Sequence, residues 1–128
     1  MGSDDNMSNV EAAQHAAQHA DALLGASAAL RRELVQYERQ VRRMRTRVLN
    51  GKPNPPTHIV PALIAARVHV NERFDDLERC RRRWRVAFFR LQAGTGMSLG
   101  AIAREWGLSR QLVSRLMSDE HGDERTSV

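Results

Sequence analysis

Between Ala20 and Val48 the apolar or small residues fall at 20, 23, 27, 30, 34, 37, 41, 44 and 48, alternating steps of three and four. A helix turns once in about 3.6 residues, so this spacing draws one narrow stripe along a single helical face. In heptad terms the a positions are Ala20, Ser27, Leu34, Val41 and Val48, and the d positions are Leu23, Leu30, Tyr37 and Met44. Four such heptads, free of proline and holding only Gly25 as a breaker, predict a long coiled-coil-like helix over 10–49. The segment AAQHAAQHA upstream continues the stripe only with alanines, and residues 1–9, polar and aperiodic, are expected to be disordered. NGKPNPPTH (50–58) holds three of the four prolines and predicts a loop. A second long helix is expected over 59–92, with Pro61 tolerated in its first turn. Its end carries Trp84, Ala87, Phe88 and Leu91 at i, i+3, i+4 and i+7, a face expected to close a downstream core. Val86 and Phe89 lie off that face and are assigned to the first helix or to a partner chain. AGTG (93–96) ends the helix, with Gly94 expected at the left-handed position that follows a helix C-terminus.

The stretch MSLGAIAREWGLSRQLVSRLM (97–117) is the most informative. Leu99, Ile102, Ala103 and Trp106 give a short helix one apolar face, and Gly107 stops it where a left-handed backbone suits glycine. Ser109 restarts the chain as an N-cap, and Leu112, Val113 and Leu116 form the inward face of a second helix. Met97 and Leu108 precede the two capping serines, Ser98 and Ser109, five positions before Ile102 and Val113, so each helix entry can close as a hydrophobic staple. With the apolar positions turned inward, Arg110, Gln111, Ser114 and Arg115 point outward from the first turns of the second helix. Residues 118–128 are polar and expected to be flexible. The whole pattern predicts an all-α fold: a long N-terminal helical arm followed by a three-helix head over the end of 59–92 and 93–117.

Ile-Ala-x-x-x-Gly-Leu-Ser-x-x-x-Val-Ser, as it stands from Ile102 to Ser114, resembles the bipartite helix-turn-helix of bacterial repressors, of the promoter-reading domain of sigma factors and of the DNA-binding domain of serine recombinases. Ala103 falls where that motif wants a small residue at the helix crossing, Gly107 at its turn, and Val113 and Leu116 on its inward face. The resemblance covers about a sixth of the chain. It implies that the second helix enters the major groove of double-stranded DNA, with Arg110, Gln111, Ser114 and Arg115 at base edges. Arginine pairs bidentately with guanine and glutamine with adenine, so these side chains can carry a sequence code.

Charge supports an anionic partner. The 128 residues carry a formal charge of +5, concentrated in two bands. Residues 31–52 hold eight basic residues against two acidic, and 79–110 eight against one, whereas the remaining segments are net acidic. The second band runs directly into 97–117. In it RCRRRWR (79–85) offers Arg81, Arg82 and Arg85 to phosphates, joined by Arg104 and by the helix starts at Ser98 and Ser109. The first band, including Arg39, Arg42, Arg43, Arg45 and Arg47, reads as a solvated helix exterior, with an acidic partner surface or flanking DNA as alternatives.

The heptad stripe, through Leu23, Leu30, Leu34, Tyr37, Val41 and Met44, is expected to make a homodimer. The long helices can instead fold back as an intramolecular hairpin. Parallel pairing would set Glu33 at g against Glu38 at e, a repulsion worth well under ~1 kcal/mol that leans toward antiparallel packing.

Other chemistry is thin. His15 and His19 have zinc-compatible spacing without a thiolate neighbour, and Cys80 alone forms no intramolecular disulfide, in keeping with a cytoplasmic, nucleoid-associated protein. Neither a signal-peptide pattern nor an apolar run of ~20 residues stands out, so no membrane association is expected. The sequence carries no catalytic triad order, paired carboxylates, phosphate-cradling loop or dinucleotide fingerprint, and therefore no enzyme, cofactor or metal is expected. The reading that follows is a DNA-binding transcription regulator of a bacterium, phage or plasmid. Its alternatives are an accessory protein for partition, excision or packaging, and an interaction module for RNA polymerase or a sigma factor.

Overall fold

A computed structural model describes the backbone of residues 2–54 and 56–126 and the side chains of 8–54 and 56–119. Among the described residues the chain is all-helical, with no strand: α1 (Gly2–Leu49), α2 (Ile59–Gly94), α3 (Leu99–Trp106) and α4 (Arg110–Thr126). They form two compact units. The first gathers residues 1–22 and 80–128, and the second residues 23–79.

Two helix ends depart from the sequence expectation. α1 begins at Gly2 rather than near residue 10, and α4 runs to Thr126 through the segment 118–126 expected to be flexible. The reason is cooperative: once a helix is nucleated, each added residue gains one hydrogen bond for one fixed backbone, and neither segment contains proline. Residues 127 and 128 lie outside the described part.

The second unit is an antiparallel helical hairpin. α1 ends in a Schellman motif: the Lys52 amide donates to the Arg47 carbonyl at 2.8 Å and Gly51, at φ 72°, donates to Val48 at 3.1 Å. Arg47 Nη2 then donates to the Asn54 carbonyl at 3.2 Å, steadying the loop. Between the helices, His69 Nδ1 lies 3.7 Å from Glu33 Oε2, which sets their register. On α1 a half-buried line runs Leu23, Ala26, Leu30, Glu33, Tyr37, Gln40 and Met44; on α2 it runs Ile59, Leu63, Ala66, Val70 and Leu77, with Ile59 and Ala66 fully buried.

That line corrects the predicted seam. α1 turns its d and g positions toward the hairpin, not d and a. Leu23, Leu30, Tyr37 and Met44 are half-buried, whereas Leu34, Val41 and Val48 remain exposed. The alternation of three and four is shared by every pair of adjacent heptad lines, so the period alone does not say on which side of d the partner sits.

In the first unit the core is Phe89, Ile102, Ala103 and Val113, with Ala93, Met97, Leu99, Trp106, Leu108, Leu116 and Met117 packed around it. Here too the sequence reading needs correction. Phe89, set off the inward face, is fully buried in this core, whereas Val86 is buried outside that cluster, in keeping with its assignment to another surface. Trp84 and Phe88 stay half-buried and meet Trp106 edge-on, each with centroids 5.8 Å away, while Phe89 reaches it at 5.2 Å. Ala87 is buried as expected. The end of α2 therefore turns Phe89, Gln92 and Ala93 toward α3 and α4, a face set about one residue later than the aromatic pair Trp84–Phe88 suggested. The left-handed glycine of the following turn is likewise Gly96 (φ 101°), not Gly94, which remains helical. Gly94 has a different constraint: a Cβ there would lie 3.1 Å from Asn9 Oδ1 of α1.

Candidate nucleic-acid interface

α3 and α4 owe their geometry to a few backbone contacts. Ser98, extended at φ −74° and ψ 158°, caps α3 by accepting from the Ala101 amide at 3.1 Å. At the other end Gly107 adopts φ 68° and ψ 32°, and the next amide, Leu108, donates to the Ala103 carbonyl at 2.8 Å. That left-handed residue reverses the chain within three positions, 107–109. Ser109 Oγ then accepts from the Leu112 amide at 3.1 Å and its carbonyl from Val113, so α4 starts at a defined point. Met97 and Leu108, just ahead of the two caps, pack on the core that contains Ile102 and Val113, as the staple spacing anticipated.

A buried polar residue ties the end of α2 to α3. Gln92 is only 9% exposed. Its Oε1 accepts from Trp106 Nε1 at 2.9 Å and its Nε2 donates to Glu105 Oε2 at 3.0 Å. Its carbonyl accepts from Thr95 Oγ1 at 2.7 Å and the Met97 amide at 3.2 Å. One residue thus fixes both the connection into α3 and the last turn of α3. Arg90 Nη2 adds a longer contact, 3.4 Å to the Met117 carbonyl of α4. Neither Gln92 nor Arg90 was singled out in the sequence. Gln92 had a signal, because a tryptophan packed in a small core needs an acceptor for its indole N–H.

The resulting surface has a distinct chemistry. Val113 is buried and Leu112 and Leu116 are half-buried, while Arg110, Gln111, Ser114 and Arg115 are exposed at i, i+1, i+4 and i+5 of α4. Together with Ser109 and Leu99 these four line an open depression of about 630 Å³. The four residues expected to face base edges therefore share one surface, with the cap of α4 at its edge. Ser109 keeps its hydroxyl proton for donation while its oxygen accepts the Leu112 amide. Ahead of that capped amide, the first-turn amides of Arg110 and Gln111 point out of the helix start, as in any α-helix.

The other predicted contacts do not line this depression. Ser98 is exposed at the cap of α3 and Arg104 on α3 itself; Arg81 and Arg82 are exposed on α2, and Arg85 is half-buried there. Arg82 is seven positions before Phe89, on the same helical line two turns earlier, and Arg81 is turned about 100° from it. The residues expected to dimerise, Leu23, Leu30, Leu34, Tyr37, Val41 and Met44, belong to the second unit, with Leu23 at its very edge.

The remaining candidates lie elsewhere on the helices. His15 and His19 meet at 3.2 Å between their Nε2 atoms, with rings edge-to-face, but among the described residues no three His, Cys, Asp or Glu side chains gather as metal ligands. Cys80 is a half-buried free thiol. No helix, among the described residues, is long and apolar enough to cross a membrane. Comparison of the chain with protein-family models, with curated proteins and with solved structures gave no match.

Proposed function

We propose that this chain is a sequence-specific double-stranded DNA-binding protein that acts as a homodimer in transcription regulation, in the cytoplasm at the nucleoid. In this reading α3, the turn at Gly107 and α4 are a helix-turn-helix, with residues 23–79 as the dimerising arm. The observation that carries it is the exposed quartet Arg110, Gln111, Ser114 and Arg115, gathered on one side of the first turns of α4 and opposed to a buried Val113. These turns are the part of a recognition helix that reaches base edges in the major groove. Arg110 and Arg115 each present a planar donor fork suited to the N7 and O6 of guanine. Gln111 offers the donor and acceptor that match adenine, and Ser114 is short enough to permit close approach.

Binding has a second, sequence-independent part. Ser98, Ser109 and Arg104, with the amides at the start of α4, hold phosphates; Arg81, Arg82 and Arg85 extend the positive field of the segment 79–110. Each phosphate neutralised releases counterions, so affinity falls with salt in proportion to the number of such contacts. The Gln92 links to Trp106 and Glu105 matter for specificity, since base readout requires α3 and α4 to hold a fixed orientation. Selection from a pool of randomised duplexes tests the proposal: one enriched motif is expected. A protein that retains duplex DNA at low salt yet enriches no motif would contradict sequence-specific readout.

A further inference from the structure

Ten large apolar residues are exposed on the hairpin; Leu24, Val35, Leu49 and Val68 point away from the contact lines, and the other six gather on one side. Viewed down α1, Leu34, Val41 and Val48 lie about 30–70° clockwise of the line that faces α2; on α2, Val60, Ile64 and Phe74 lie roughly 55–135° clockwise of the line that faces α1. In two antiparallel helices, residues turned in the same sense from their contact lines fall on the same side of the pair. All six therefore share one face of residues 23–79. The opposite side, at Gln36, Arg39, Arg43, Ala65 and Asp76, is polar or small.

These six residues are between 38% and 58% exposed, Leu34 the least and Ile64 the most. For side chains of this size that leaves on the order of 500 Å² of apolar surface, the size of the largest patch on a typical monomer, which is often an interaction site. Two such faces in contact would bury about 1,000 Å² from these side chains alone, reaching the range of specific interfaces before their neighbours contribute. With the Glu33–His69 contact as register, the stripe runs from the level of Phe74 to that of Val48, some 30 Å along the helices.

We infer that this face is covered by a second copy of the chain, docked antiparallel so that two hairpins make a four-helix bundle. Charge fixes the orientation. The loop end of the hairpin, residues 39–52, carries six basic residues and no acid, whereas 72–78 on α2 carries four acids and one base. Parallel docking would press the two basic loop ends together. Antiparallel docking separates them and lays each beside the acidic end of its partner's α2. This deepens the homodimer in the proposed function and is independent of the DNA contacts.

Sedimentation of the full chain is the first test. The wild type is expected at twice 14.5 kDa, and a chain carrying both Ile64→Asp and Phe74→Asp at 14.5 kDa with unchanged helical circular dichroism. Ala65→Asp, on the polar side, is expected to stay dimeric. Orientation is read by disulfide cross-linking in a Cys80→Ser background. Arg45→Cys and Asn71→Cys chains should cross-link when mixed, and Arg45→Cys alone should not. A monomeric wild type, a dimer indifferent to Ile64→Asp with Phe74→Asp, or ready self-linkage at position 45 would each overturn the inference. DNA selection separates the two proposals: a monomer that still enriches a motif sinks the dimer alone, and a dimer that enriches none sinks only the DNA reading.

Discussion

Gln92→Leu removes the amide that joins α2 to α3 while keeping nearly the same volume in a site only 9% exposed. Two side-chain hydrogen bonds go with it, from Trp106 Nε1 at 2.9 Å and to Glu105 Oε2 at 3.0 Å. Glu105 is exposed, so water replaces its partner and little is lost there. The indole N–H is different. Trp106 is half-buried among Trp84, Phe88 and Phe89, and a donor stripped of its acceptor in such a place costs about 1–3 kcal/mol. The leucine returns part of this through apolar burial, which leaves a net destabilisation of about 1–2 kcal/mol. A double-mutant cycle isolates the bond: after Trp106→Phe no indole donor remains, so Gln92→Leu should then be nearly neutral, with a coupling of about 1 kcal/mol. Urea unfolding followed by circular dichroism measures all four chains, and the shift should appear in the midpoint at constant m. A coupling near zero, or a Gln92→Leu chain as stable as the wild type, would refute this account of the α2–α3 junction.

Phe89→Ala should destabilise by about 3–5 kcal/mol and Phe88→Ala by roughly half as much, because the first ring is fully buried and the second is not; the same urea titration ranks them. Gly107→Val should cost more than Gly107→Asn. Nothing lies within 4 Å of a Cβ built there, so the loss is backbone strain alone, which asparagine tolerates better at positive φ; thermal unfolding of the pair reads the difference. Ser109→Ala should lower stability by about 0.5–2 kcal/mol through the lost cap of α4, measured by the same thermal unfolding. Arg82→Ala should weaken binding to every duplex alike and reduce the salt dependence by about one unit of slope, read from titrations at several salt concentrations.

The short helices were legible because their punctuation is local. Ser98, Gly107 and Ser109 act on amides within four residues of themselves, and the structure uses each as the spacing suggested. The loop after α1 was legible for the same reason. What the sequence hid is the choice between neighbouring helical faces. Phe88 and Phe89 are adjacent, both aromatic, and only the position of α3 and α4 decides which one is buried. The heptad stripe of α1 posed the same ambiguity, settled by α2, whose distance in sequence no period encodes. Gln92 escaped notice because a glutamine on a helix reads as solvated until an indole N–H is placed against it.

The central claim is that the outward side of α4 reads bases. Selection on randomised duplexes, run in parallel with the wild type, Gln111→Ala and Arg115→Ala, tests it most directly. Each substitution is expected to leave the motif intact except at particular base pairs, where about 1–3 kcal/mol of discrimination is lost. If both variants enrich the same motif as the wild type with the same stringency at every position, α4 does not read the sequence.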